Sequence, residues 1–223
     1  CVDNEVLLAA LRTALGRHRM VRLVKDHVIA VALQGGSMPS VTAASGETYG
    51  GRRIVLAAGA WVTEIRGLPS RLPVEPVRGQ MIAFDAPPSP PPPPLVTYGP
   101  QGYLVPRGKS RTLAGSTMER VGLRAGTTDE GVSALRSAAT AISPALADAP
   151  IAARWSGFRP ITPDLLPILG ADPAHPELLY ACGHGRNGIL LAPLTGDCIA
   201  ALVEGSPPPA SLEPFNPRRF LDR

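Results

Sequence analysis

Three glycines spaced around an arginine, G-H-G-R-N-G at residues 183–188, form the stretch of this sequence best suited to handle a ligand. An apolar run with strand character, Leu178 to Cys182, leads in, and an apolar run at helical spacing leads out from about Ile189. The pattern predicts a strand, a tight turn and a helix start. Glycines let a backbone approach a ligand closely, and the unpaired N–H groups of a first helical turn point at it with the positive end of the helix dipole. An electron-rich group belongs at such a turn. Read literally, the run is G-x-G-x-x-G, but the dinucleotide fingerprint needs a following strand and an acidic residue about 20 positions on. Here SPPPASLEPFNPRRFLDR follows the helix and a cation, Arg186, occupies the turn, so that reading is rejected. A helix N-terminus that packs and binds nothing is the plain alternative.

Two further residues carry chemistry. Arg159 follows a strand-like run, between Phe158 and Pro160. A buried arginine needs an anionic partner, and its planar fork matches a carboxylate. Carboxylates are sparse, and Glu64, Glu75, Asp164 and Asp172 sit beside Pro, Gly or turn residues, where capping is their ordinary role. Arg159 and Arg186 therefore point to an anionic ligand, with bonds to backbone carbonyls as the structural alternative. Tyr103, in GYLVPR, could offer its hydroxyl to the same carboxylate or be a core tyrosine. There is no nucleophile elbow, Walker A motif, HExxH or spaced carboxylate pair. Neither the three cysteines, at 1, 182 and 198, nor the four histidines have metal-ligand spacing.

The elements that must hold these residues follow from periodicity. A helix is expected over Asp3 to Gly16, with Asp3 as N-cap, then strands over Met20 to Val24, Val28 to Leu33 and Val41 to Ala44. Arg53 to Ala60 reads as a strand buried on both sides, leading into a helix from about Ala60 to Arg66. A long strand with an interruption at Arg78-Gly79 is expected over Pro73 to Phe84, followed by short strands at Leu95 to Tyr98, Gly102 to Pro106 and Arg111 to Ser116. Thr127 with Glu130 makes a capping box for a helix to about Ile142, and Ile151 to Arg159 and Leu166 to Gly170 add strands. The fold class is α+β or mixed α/β, with a mainly antiparallel sheet, helices, and a portion of a layered α/β domain.

Composition bounds the rest. With 223 residues, 44% hydrophobic and 18% charged, the chain is globular. Its net charge of +4 is scattered over Arg52 and Arg53, Arg107 to Arg111, and Arg218 and Arg219; with 4% aromatics, nucleic acid is not expected as a partner. Reduced thiols in a cytoplasmic protein are expected. The apolar stretch Gly188 to Val203 is short and interrupted by Asp197, so no membrane span is expected. Beginning on Cys1 suggests a start inside a longer reading frame.

Taken together, IVLAAGAWV, PVRGQMIAF, GYLVPRG with LAGSTME, WSGFRPITPDLLPILG and GHGRNGILLAP resemble, in order and spacing, the carboxy-terminal portion of the D-amino-acid oxidase superfamily of flavoproteins. They are most similar to the glycine oxidases of thiamine biosynthesis. The resemblance implies non-covalent FAD, a small amino acid as substrate, hydride transfer from its α-carbon to flavin N5, hydrolysis of the imine, and dioxygen reduced to peroxide. It places the substrate carboxylate on Arg159 and Arg186 with Tyr103, and the flavin on His184, Gly185, Arg186, Asn187, Gly188, Ile189 and Leu190. Val21, at the start of the strand after the first helix, would meet the adenine side. No residue is implied as a protein nucleophile. Residues 1–70 and 161–223 would belong to an FAD-binding, Rossmann-like domain and residues 71–160 to the substrate domain, with homo-oligomerisation left open. D-amino-acid dehydrogenase and sarcosine oxidase are the near alternatives, and a non-catalytic remnant or binding subunit the distant one. The sequence departs from the family at Gly185, where a bulky residue is usual, at Ile161, where a small one is, and in the proline tract Pro87 to Pro94 near the expected entrance. The family's amino-terminal G-x-G-x-x-G portion is not among these residues.

Overall fold

Asp3 accepts hydrogen bonds from the backbone N–H groups of Glu5 and Val6, which closes the first turn of a helix. The structure is a computed structural model that describes residues 2–33, 38–85, 94–108 and 111–221. In chain order its elements are α1 (Asn4–Arg17), β1 (Val28–Ala32), β2 (Ser40–Ala43), β3 (Thr48–Gly50), β4 (Ile54–Leu56), β5 (Glu75–Asp85), β6 (Thr97–Gly99), β7 (Gly102–Arg107) and β8 (Arg111–Gly115). There follow α2 (Asp129–Ile142), β9 (Ile151–Ile161), β10 (Ile168–Ala171), β11 (Leu178–Cys182), α3 (Gly188–Glu204) and the single-turn α4 (Arg218–Leu221). Packing divides the chain into two units. The first is Cys1–Ala58, Val62–Pro73 and Leu166–Arg223, and the second is Gly59–Trp61 and Val74–Leu165.

The first unit holds two three-stranded sheets, β1-β2-β3 and β10-β11-β4. β11 runs antiparallel to β10 and parallel to β4, and the inner face of α3 buries Cys198, Ile199 and Ala201. α3 ends where Gly205 turns left-handed at φ 77°, the conformation that suits glycine as a helix stop. Three sequence expectations are corrected here. Met20 to Val24 form no strand; Met20 is 88% exposed and Leu23 55%, and an isolated β-rich run has no ladder to satisfy its backbone. β4 is only three residues long and Val55 on it is exposed, so the Arg53 to Ala60 run is not buried on both sides. The expected helix after it is a 3-10 helix, Gly59–Glu64, in line with the weak α-propensity of the Trp-Val-Thr run at its centre. β3 had no expected counterpart.

The second unit is a five-stranded antiparallel sheet in the order β6-β7-β8-β5-β9. Its one long helix, α2, is capped by the Thr128 hydroxyl, which accepts from Gly131 N at 3.1 Å. The cap lies one residue beyond the expected Thr127. α2 covers the face carrying Ile82, Phe84, Leu104 and Ala114, with Leu135, Ala139 and Leu146 completing the core. β5 runs without the expected break at Arg78-Gly79, because the irregularity falls on its neighbour: β8 pairs with β5 only as far as Gly115 opposite Met81. Side chains opposite one another in an antiparallel ladder share a face. The face turned away from α2 therefore carries Val77, Gly79 and Met81 of β5, Trp155, Gly157 and Arg159 of β9, Gly115 of β8 and Tyr103 of β7.

Candidate functional site

That second face is where strand alternation delivers the chemistry. Gly79 and Gly157 oppose each other across the β5–β9 ladder, so the centre of the face has no side chain of its own. The Arg159 guanidinium lies there: a Cβ on Gly79 would stand 2.4 Å from Nη1 and 2.6 Å from Nη2. On the same face, a Cβ on Gly115 would stand 2.9 Å from the Tyr103 hydroxyl and 3.0 Å from Met81 Cε. Two glycines thus make a shallow seat, and Arg159 and Tyr103 are brought to it from different strands. Tyr98 flanks Tyr103 at 5.7 Å between ring centres.

Arg159 is half-buried and forms no ion pair among the described residues. Its Nη1 donates to the Thr117 carbonyl at 3.2 Å and its Nη2 to the Ser116 hydroxyl at 2.6 Å. The structural alternative, an arginine spent on backbone carbonyls, is thus realised for one bond only. The remainder of the fork, a fixed positive charge on the same sheet face as the Tyr103 phenol, suits a carboxylate.

Sequence reasoning missed the residues that hold this arrangement. Arg78 and Glu119 exchange both backbone hydrogen bonds at 2.9 Å, and the Arg78 guanidinium grips the Glu119 carboxylate through Nε and Nη2. Gln80 Nε2 donates to the same carboxylate at 2.7 Å, and so does the Thr117 hydroxyl, at 2.5 Å. Burial alone would raise the pKa of Glu119. The hydrogen bonds from Thr117, Arg78 and Gln80 outweigh it and hold the carboxyl below its usual value. The visible signal was the alternation in VRGQM, which puts Arg78 and Gln80, 7% and 0% exposed, on an inward-facing strand position.

The glycine turn belongs to the first unit. Gly183 and Gly185 take left-handed φ values of 74° and 55°, so a bulky residue at 185 would be strained in this conformation. A 3-10 turn, Gly185–Asn187, leads into α3, whose N-cap Asn187 makes no side-chain cap bond. Within that turn the Asn187 N–H donates to the His184 carbonyl at 3.0 Å. Arg186, Asn187, Ile189 and Leu190 are exposed, while His184 is half-buried with Nε2 3.0 Å from the Thr195 hydroxyl. Burial lowers the His184 pKa, so the ring is neutral at neutral pH. An uncapped helix start behind two left-handed glycines fits the carbonyl-rich edge of an isoalloxazine ring. Val21 is 37% exposed, its N–H bonded to the His18 carbonyl in a turn; it stands on no strand, contrary to the placement the resemblance implies. Ile161 closes β9. The proline tract, apart from Pro94, lies outside the described residues.

The model of a protein family described as FAD dependent oxidoreductase matches residues 1–202. The bifunctional protein ThiO/ThiG of Synechocystis sp. is 40% identical over 99% of this chain and 33% of its own length. The glycine oxidase of Pseudomonas putida is 34% identical over 99% of this chain and 60% of its own length. The crystal structure of iminodiacetate oxidase from Chelativorans sp. BNC1 superimposes with a TM-score of 0.83 at 31% identity, over 95% of this chain and 58% of that one. The chain thus spans between a third and three fifths of the length of these relatives.

Proposed function

Since the chain belongs to the family of FAD-dependent oxidoreductases, we propose that it forms the substrate-binding part, and the flavin-edge part, of an enzyme that oxidises a small amino acid of glycine type to its imine. The observation that carries this is the Arg159 fork lying over Gly79 on the face that also carries Tyr103, without a carboxylate partner among the described residues. Arg159 and Tyr103 hold the substrate carboxylate on the open face of the sheet, and fixing that group orients the α-carbon C–H, so no protein nucleophile is needed. Arg186, in the other unit, is assigned to the carboxylate by its motif and its charge, not by distance.

FAD, when bound, supplies the two-electron acceptor for the α-carbon hydride and passes the electrons to dioxygen as peroxide. Its isoalloxazine edge would lie against His184, Gly185, Arg186, Asn187, Gly188, Ile189 and Leu190, where the start of α3 stabilises negative charge. Val21 is kept as an adenine-side contact on the motif alone. In this reading residues 1–70 and 161–223 serve the flavin and 71–160 the substrate.

The test is glycine-dependent peroxide release by flavin-loaded protein. Arg159→Lys, which keeps the charge and loses the fork, is expected to raise KM for glycine at least about tenfold, the loss of one charge-assisted hydrogen bond, with the flavin absorbance unchanged. An unaltered KM removes Arg159 from the site.

A further inference from the structure

The segment that holds Arg159 is a β-bulge. Between the pairs Met81–Gly115 and Arg78–Glu119, β5 contributes Gly79 and Gln80, whereas the neighbouring chain contributes Ser116, Thr117 and Met118. One extra residue bends the chain and re-aims what it carries. Thr117 consequently faces two ways. Its carbonyl accepts from Arg159 on the open face, and its hydroxyl, on the α2 side, accepts from Gln80 N at 2.8 Å and donates to Glu119.

Glu119 is tied more completely than an ion pair requires. Besides Arg78 it receives Gln80 Nε2, while Gln80 Oε1 accepts from Thr128 N at 2.8 Å. A Cβ on Gly131 of α2 would stand 2.4 Å from Gln80 Nε2, so the helix is seated directly on this amide. Apart from the bond of Arg78 Nη1 to the Arg124 carbonyl at 3.1 Å, the links of the network among the described residues end on the bulge or on the helix cap beneath it, and Thr117 connects them to the open face. A part-buried pair of this kind adds little stability compared with an apolar replacement, and a fully bonded network restricts its members to few geometries.

We propose that Glu119 is a positioning residue for the carboxylate site: acting through Thr117, it fixes the bulge that presents the Arg159 guanidinium on the other side of the sheet. This rests on the reading that Arg159 holds the substrate carboxylate.

The experiment uses the whole chain loaded with FAD, with glycine as the probe, and reads two quantities. The first is the nitrogen NMR spectrum of the Arg159 guanidinium, assigned by its disappearance in Arg159→Lys. Anchored Nη groups rotate slowly and give separate signals. Glu119→Gln and Thr117→Val should merge them. Thr117→Val leaves the Arg78–Glu119 pair in place, so it reports even where the Glu119 variant fails to fold. The second is glycine affinity, expected to fall about tenfold in each single variant. In the double variant with Arg159→Lys no further loss is expected, because Glu119 acts only through that fork; two contacting groups on one pathway are non-additive. Arg159 signals unchanged in Thr117→Val, or losses that simply add to those of Arg159→Lys, overturn the proposal. If Arg159→Lys leaves glycine affinity intact, the carboxylate reading fails, and the guanidinium signals still decide whether Glu119 holds that side chain.

Discussion

Replacing Gly79 by alanine separates the site from the fold. Gly79 sits inside β5 with an ordinary, non-left-handed backbone, so alanine is conformationally allowed and removes about 0.5–1 kcal/mol of the cost that glycine carries in a strand. The three atoms nearest the new Cβ would all belong to the tip of Arg159, at 2.4 Å from Nη1, 2.6 Å from Nη2 and 2.8 Å from Cζ, where ordinary contact begins at 3.4 Å. The guanidinium must therefore retreat by about 1 Å. Its anchors, Ser116 Oγ at 2.6 Å and Thr117 O at 3.2 Å, cannot both follow. A hydrogen bond stretched by about 1 Å from its usual 2.9 Å no longer counts as one. A fork displaced by about 1 Å no longer meets a carboxylate seated on this face, and one hydrogen bond to a charged group is worth about 1.5–3 kcal/mol, so glycine affinity should fall about 10- to 150-fold. The assay is KM for glycine in peroxide release, run beside a thermal melt. A large rise in KM with a cooperative melt retained is expected. A KM within about twofold of the parent would refute the placement of Arg159 over Gly79 as a binding geometry.

Two other perturbations address the frame. Arg136 Nη1 donates to the carbonyls of Leu146, Ala147 and Ala149, and its Cζ stands 5.5 Å from the Phe84 ring centre. Arg136→Ala should cost about 2 kcal/mol and lower Tm by about 4–8 °C in calorimetry; a melt unchanged within a degree or so would show that these carbonyls are served as well by water. For His184, burial lowers the folded-state pKa below the ordinary 6.5, so the unfolded chain binds the proton first. Stability is whole above about pH 6.5 and declines as the pH falls from there through the folded-state value. In His184→Gln that decline should be missing between pH 7.5 and 5, and identical melting profiles for the two proteins across that range would place the ring in solvent.

The elements legible from residue order were those whose signal is local. Asp3 as a cap, the strands GYLVPR and LLYAC, and the glycine turn into α3 depend on neighbours within a few positions, and each stands where periodicity and turn chemistry put it. Where a strand's existence depends on a partner, as at Met20 to Val24, composition was a poor guide, because β-rich side chains become a strand only when a ladder takes up their backbone groups. The cap at Thr128 in place of Thr127 has the same cause: Gln80, 48 residues earlier, bonds Thr128 N and Thr128 Oγ1 and so selects which threonine ends the loop.

The site divides along the same line. Arg159 and Tyr103 could be singled out by type, flanking residues and motif, and alternation along β5, β7 and β9 is enough to put them on one face. What makes that face a site is information about pairs. Gly79 matters because Arg159 crosses it, and Gly115 because Tyr103 does, and neither crossing is visible in a single strand. Thr117 and Glu119 enter the sequence reading within LAGSTME only as part of a likeness, since on a straight strand residues 117 and 119 would share the open face with Gly115 and neither side chain would reach the α2 side. The bulge removes that constraint. By placing one more residue between Gly115 and Glu119 than β5 offers opposite them, it lets a hydroxyl face inward while the carbonyl of the same residue faces out. A polar network in the core can then set the geometry of a binding group on the open face.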